Sequence, residues 1–363
     1  MLKKFNKPII VRAKENILIK FSYNEEIGIY YEIVNNNKII KRNTIINNSF
    51  KYFDISMDLD NNINIICQNE VGNIVLYKLI RNIWEYTKLF YINKVSITPI
   101  KIKKFYKENY YIFTLDSDTQ SIYSRNNLGE INRLYYDKNN IDIDFDILSG
   151  KRYSNLIINS SSFNMDKILI KIFDKNKKKW NNEQLIYVSK NTYIDKSYCL
   201  EGNKLYFLIL INEENLKSVI YKNIDINKNG LQKEIILFQN KEISSCLITN
   251  INSVLWAVWI SENKIYASYS INLGEDFSEP KVYRYINNEK IKKIGVLEND
   301  NIKETYFYEE NEKIYLFLKD ILKLDKINFS IEHKNIDYNL EKLKIDYKSE
   351  SLLKDVKYIV RDR

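Results

Sequence analysis

One histidine, three cysteines, three prolines and eight glycines are all that 363 residues contain of these types. Each scarcity removes something. Cys67, Cys199 and Cys246 lie far apart, and with His333 they form no cluster of zinc-ligand spacing. A metal site would have to be built from oxygen ligands, as a Ca2+ site is. No cofactor is expected beyond such a site. A Cys–His nucleophile pair is disfavoured because His333 lies beyond the repeated region described below. With little Gly and Pro, turns fall to Asn, Asp and Lys. No apolar run reaches the roughly 18 residues of a membrane-spanning helix. The N-terminal MLKKFNKPIIVRAKENILIK is basic without a continuous apolar stretch, so it does not read as a signal peptide. The expectation is a soluble chain, cytoplasmic or otherwise intracellular.

Hydrophobic residues make up 45%, enough for a sizeable core. Asn, Lys, Ile and Tyr are in excess, the signature of A- and T-rich codons. That origin discounts the +9 net charge as a sign of nucleic-acid binding. No element carries a basic patch interleaved with stacking aromatics, so nucleic acid is not an expected partner.

One pattern recurs along the chain: an apolar strand, an acidic or Asn-rich turn, then a strand with an Ile-Tyr flavour. INIICQNEVGNIVLYKL and VLWAVWISENKIYASYS are two copies. Ile29, Ile74, Ile122, Ile168, Val219, Ile265 and Ile314 mark it, at intervals of 45, 48, 46, 51, 46 and 49. The sixth unit shows four strand-like runs, EISSCLITN, VLWAVWIS, KIYASYS and PKVYRYI. Four strands per unit of about 40 to 50 residues is the signature of a propeller blade. The expected fold is all-β: a seven-bladed β-propeller of four-stranded blades over residues 1–329. Six or eight blades are the alternatives if an end unit is miscounted. No strand exchange that would close the ring is visible, so closure is expected from packing of the first blade on the last. Trp256 and Trp259 fall on opposite faces of one strand by parity. Cys199 and Cys246, 47 residues apart, read as matching buried positions on two inner strands. In residues 330–363, Ile336, Leu340, Leu343 and Tyr347 keep a 4-3-4 spacing that Leu353, Val356 and Val360 resume. This predicts a short amphipathic helical tail or the start of a coiled coil, a route to oligomers.

Within YASYSINLGEDFSEP, Ser270, Asn272, Gly274 and Phe277 stand at offsets 0, 2, 4 and 7. The spacing resembles the Asp-box, or BNR repeat, of sialidase-like propellers, Ser-x-Asp-x-Gly-x-x-Trp. RNIWEY and KKKWNN keep only its aromatic, as Trp84 and Trp180. The resemblance implies a structural loop between third and fourth strands, at the end opposite the ligand face. It also implies a catalytic apparatus of three arginines, one in an Arg-Ile-Pro motif, a Tyr–Glu pair and an Asp. This sequence has KPIIVRA with Arg12 and no Arg-Ile-Pro. Arg81, Arg125 and Arg133 map to the wrong end, and lysine does not easily replace a bidentate arginine clamp. No catalytic residue is carried over.

Acids recur at near-equivalent places: Asp54, Asp146, Asp195 and Glu242, at intervals of 92 (two repeats), 49 and 47. At the starts of inner strands they would ring the mouth of the central channel. In NIDIDFDIL, Asp142, Asp144 and Asp146 share one side of a strand by alternation. Three readings follow: a solvated rim, a site for a cation or basic partner, or paired catalytic carboxylates. The last needs separations of about 5 Å or about 6.5–9.5 Å. The loops joining second and third strands, on the same face, hold twelve acids and three lysines. Those joining third and fourth strands hold sixteen basic residues and six acids, with Lys175, Lys177, Lys178 and Lys179 the densest cluster. The expected function is a non-enzymatic scaffold that recognises a protein or glycan partner through an acidic loop face. A diverged sialidase-like glycoside hydrolase and a carbohydrate-binding lectin are the alternatives.

Overall fold

A computed structural model describes residues 7–12, 18–57, 62–80, 83–91, 100–105, 108–115, 118–126, 128–138, 142–162, 165–190, 193–213, 215–226, 230–286, 291–298, 301–317 and 359–361. Every element ordered along them is a β-strand. Strands β5 (Ser49–Met57), β6 (Ile63–Asn69), β7 (Asn73–Ile80) and β8 (Ile83–Tyr91) form one antiparallel sheet in chain order. The same order repeats in β9 (Ile100–Phe105), β10 (Glu108–Leu115), β11 (Asp118–Asn126) and β12 (Ile131–Tyr136). It repeats again in β13 (Asp142–Ser149), β14 (Tyr153–Ser161) and β15 (Asp166–Asp174), whose outer partner is split into β16 (Lys179–Trp180) and β17 (Gln184–Ser189). Next come β18 (Tyr193–Glu201), β19 (Lys204–Glu213), β20 (Leu216–Asp225) and β21 (Gly230–Asn240). The series continues with β22 (Ile243–Ile251), β23 (Val254–Ser261), β24 (Lys264–Ser270) and β25 (Lys281–Tyr285).

The first and last groups of the repeating strands meet. Strands β1 (Ile9–Arg12), β2 (Leu18–Asn24), β3 (Gly28–Asn35) and β4 (Lys38–Ile46) join β26 (Lys292–Glu298), β27 (Asn301–Glu310) and β28 (Lys313–Leu316) in one closed ring. The seam is more than side-chain packing. Ile9, Ile10 and Val11 pair in parallel with Gly295, Val296 and Leu297, and Lys38 bridges Lys313. Gly295 leaves room for Ile302 of the neighbouring β27, whose Cγ2 would lie 2.5 Å from a Cβ there, while Ile9 of β1 stays at 3.7 Å. The helical tail expected over 330–363 lies outside the described residues except for β29 (Ile359–Arg361), which pairs in parallel with Glu85–Thr87 of β8.

Why these residues make strands is visible in their burial. Middle strands are buried on both faces: β19 runs from Leu205 to Ile211 without an exposed side chain. Such strands read as continuous apolar runs rather than alternating ones. Their two faces serve different neighbours. In β23, Trp256 packs with Tyr306 and Phe317, whereas Trp259 packs with Tyr206 and Cys246. The parity reading of the two tryptophans holds. Apolar clusters therefore fill the spaces between consecutive sheets, and one more joins Ile10 and Val34 to Ile294, Phe307 and Ile314 across the seam.

Four of the described hairpins turn without glycine. Asn36–Asn37, Asn252–Ser253, Glu262–Asn263 and Asn311–Glu312 each carry positive φ at both central positions. That is the two-residue hairpin geometry that matches strand twist. The three cysteines are free and buried.

The loop after β24 is built by its polar residues. Ser270 Oγ donates to Asn272 Oδ1 at 2.7 Å and accepts from Gly274 N at 2.8 Å. Asn272 Oδ1 also accepts from Asp276 N at 3.0 Å. Gly274 has φ +85°, and a Cβ there would fall 1.8 Å from the Tyr221 hydroxyl. Phe277 meets Tyr221 edge-on, centroids 4.7 Å apart. Tyr221 belongs to the preceding sheet, so this loop fastens two sheets together.

Candidate functional site: a carboxylate–lysine ring between the inner strands

The first strand of each group faces a shared interior, and alternation decides which side chains reach it. On β13, Ile143, Phe145 and Ile147 enter the apolar core, while Asp142, Asp144 and Asp146 stay partly accessible on the other side. A cavity of about 160 Å³ lies between the inner strands, with Lys7, Asp54, Lys101, Asp146 and Glu304 among its lining.

Register places these groups on rungs. Asp54 pairs with Ile66, which pairs with Leu76, two residues past the repeat marker Ile74. Asp146 pairs with Ile157 and through it Ile170, two past Ile168. Lys101 pairs with Ile112 and through it Ser124, two past Ile122. The three are equivalent residues of consecutive sheets. The interval of two repeats between Asp54 and Asp146 thus has a lysine at its midpoint. Lys101 Nζ stands 3.6 Å from Asp54 and 3.8 Å from Asp146. Asp54 is fully buried, and its Oδ2 accepts from Ile102 N at 3.0 Å.

Asp195 sits one rung away. It pairs with Leu210, which pairs with the marker Val219, and Asp144 is its equivalent through Asn159 and Ile168. Asp195 Oδ2 accepts from Ser245 Oγ at 2.8 Å and Cys246 N at 2.9 Å, and Lys293 Nζ lies 2.6 Å away. Lys293 also reaches Glu304 at 3.9 Å, and Glu304 pairs with Lys7. Glu242 does not join. It occupies an exposed turn, its N–H donating to Asn240 Oδ1 at 3.0 Å. The residue of β22 on the rung of Asp195 is Ser245, through Ile260 and the marker Ile265. The offset is 50 residues, not 47, because the hairpin after β23 is shorter than that after β19. The same offset puts Cys246 level with Lys196 rather than Cys199.

Electrostatics follow from this alternation of signs. Burial pushes the Asp146 carboxyl up and the neighbouring charge of Asp144 adds to it, against the pull of Lys101. Burial alone would lower Lys101, but Asp54, Asp146 and Asp144 outweigh it and its pKa is raised. Burial depresses Lys196. Burial would raise Glu304, yet Lys7 and Lys293 bring it from 4.5 to about 2. A depressed carboxyl stabilises the fold above its unfolded pKa and loses that contribution as pH falls through the folded value. Wild type is therefore expected to lose about 3 kcal/mol from this group as pH falls from 4.5 to 2. Glu304→Gln should be less stable at pH 7 and show a flatter melting curve against pH in that window. Parallel curves for the two proteins would sink this assignment.

Among the described residues no group of three His, Cys, Asp or Glu side chains is placed to hold a metal ion. No helix among them is long and apolar enough to cross a membrane. Away from the cavity, Glu25, Glu26, Glu70, Glu213, Glu262, Glu310 and Glu312 are exposed at the hairpins joining second and third strands. At the other end Lys177, Lys178 and Lys179 are exposed, while Lys175 turns inward to Ser149 Oγ at 2.9 Å and Gly150 O at 2.6 Å.

No protein-family model matches the chain. No curated protein matches its sequence. Among solved structures it is similar to extracellular domains 1–2 of Drosophila Semaphorin 1a, at TM-score 0.51 and 6% identity over 87% of this chain and 86% of that one. It is also similar to the fucose-specific lectin from Aleuria aurantia, at TM-score 0.41 and 9% identity over 74% and 93% of the two chains. A polysaccharide lyase, PL25-Ulvanlyase, is similar at TM-score 0.46 and 9% identity over 77% and 78%. The likeness to the semaphorin domains is one of fold alone, and the chain's own repeated four-stranded antiparallel sheets make its fold all-β and propeller-like.

Proposed function

We propose that the chain is a seven-bladed β-propeller serving as a non-catalytic binding module for a protein or glycan partner. Apolar clusters between consecutive sheets and across the seam support the count of seven. In this reading residues 1–329 form the propeller, Ser270, Asn272, Gly274 and Phe277 form an Asp-box, and residues 330–363 are a tail that joins copies. The observation that carries the function is the position of Lys101 between Asp54 and Asp146. The two carboxylates share one ammonium, a counter-charge standing between them where a hydrolytic pair would hold its substrate. A rigid broad face with acidic hairpin tips is suited to docking, and fold alone implies no chemistry.

The raised carboxyl of Asp146 favours a second reading, a diverged glycoside hydrolase with Asp146 as the acid. Incubation with a panel of aryl glycosides between pH 4 and 8 separates the two. A binding module gives no turnover. Turnover that Asp146→Asn abolishes would overturn the non-catalytic reading.

A further inference from the structure

We infer that the central cavity is a site for one neutral, polyhydroxylated ring, a single hexose-sized unit. The inference rests on the binding-module reading and names the ligand class for it. Size is the first constraint. At about 160 Å³ the cavity is close to the roughly 150 Å³ that accommodates one benzene ring in an apolar core. A volume of this order admits one six-membered ring.

Charge is the second. Lys7, Lys101 and Lys103 line the cavity together with Asp54, Asp144, Asp146 and Glu304. An anion would meet four carboxylates, and a cation would meet three ammonium groups. Hydroxyls suit both, since each donates to a carboxylate and accepts from an ammonium. The third constraint is an unmet bond. Asp54 is fully buried and lines the cavity, yet its Oδ1 accepts no hydrogen bond. Lys101 at 3.6 Å neutralises it without bonding it. A buried acceptor left so costs free energy that a ligand hydroxyl recovers once the carboxylate turns toward the cavity, since Oδ1 has no open surface where it stands. Ile9, Ile100 and Ile302 supply apolar walls for the C–H face of such a ring.

The cavity also has a floor. Leu148, Tyr198 and Ile302 separate it from a second cavity of about 150 Å³. There Asn301 crosses to Ser149, accepting from its N–H at 2.6 Å and donating to its carbonyl at 2.7 Å. The two-pronged contact ties β27 to β13 and blocks straight passage along the axis.

The test is calorimetric and NMR titration of the full chain with glucose, galactose, mannose and myo-inositol. Glucuronic acid and glucosamine are the charged analogues. At least one neutral ring should bind saturably, at least tenfold tighter than the charged analogues. Asp54→Asn should weaken that binding tenfold or more, and Lys178→Ala on the far face should leave it unchanged. Should Asp54→Asn fail to fold, Asp144→Asn, whose side chain is partly accessible, carries the same expectation. Absence of saturable binding by every neutral ring, a preference for a charged analogue, or binding untouched by both Asp variants would overturn the inference. None of these outcomes produces turnover, so they are distinct from failure of the non-catalytic reading.

Discussion

Lys20→Ala is expected to cost about 3–5 kcal/mol, the loss typical when one partner of a buried ion pair is removed. Lys20 on β2 is 4% exposed and Glu32 on β3 is 1% exposed. Lys20 Nζ donates to Glu32 Oε2 at 2.9 Å and also pairs with Glu309 on β27. Arg42 Nε holds the other oxygen of Glu32 at 2.8 Å. The ammonium also stands 5.5 Å from the centroid of the Phe307 ring. One side chain thus stitches the first strands to the last. Without it Glu32 keeps a single cationic partner in a nearly dry setting, and the seam loses its link to Glu309. Urea unfolding reads the effect directly, and a loss under about 1 kcal/mol would show that the seam does not depend on this pair. Lys20→Met combined with Glu32→Leu should cost less than Lys20→Ala alone, since no buried charge is then stranded. The pH dependence has a definite sign. Burial lowers Lys20, but Glu309 and Glu32 outweigh it and the folded pKa is raised. Its contribution is complete below the ordinary lysine range and fades as pH rises through the raised value.

Gly28→Ala is expected to cost on the order of 3 kcal/mol, from two sources. Gly28 opens β3 with φ +73°, where an L-residue costs about 1–2 kcal/mol. Its Cβ would also fall 2.1 Å from the Ile46 carbonyl oxygen and 2.7 Å from that of Asn47. Both obstacles are backbone, so no rotamer change relieves them. Gly202→Ala isolates the first source: φ is +59°, and nothing lies within 4 Å of the added Cβ. Its melting temperature should fall by less than half as much as that of Gly28→Ala. Equal shifts in the two variants would mean that the loop around Ile46 and Asn47 yields, and the steric argument would fail.

Tryptophan parity on β23, hairpins at Glu262–Asn263 and Asn311–Glu312, and the four-strand unit were all legible in the sequence. These features depend on a period of two and on turn chemistry within a few residues. The alternation of Asp142, Asp144 and Asp146 was legible for the same reason. Lys101 was nearly so. It lies between Asp54 and Asp146 at repeat spacing, but an interval sought only among acids passes over a lysine.

What the sequence by itself determined is therefore the strand set, its repetition, and which face of each strand is apolar. The tertiary structure alone decided which repeats stand level with one another. Hairpin length and bulges shift the rungs by a few residues from sheet to sheet, so Ser245 rather than Glu242 meets Asp195. It also decided the sign of the interior. Carboxylates read along the chain form an acidic set, whereas Lys7, Lys101 and Lys293 converge on them from other parts of the chain and neutralise them. Burying charge is costly unless an opposite charge arrives with it, and only the closed ring of strands brings the partners within about 4 Å.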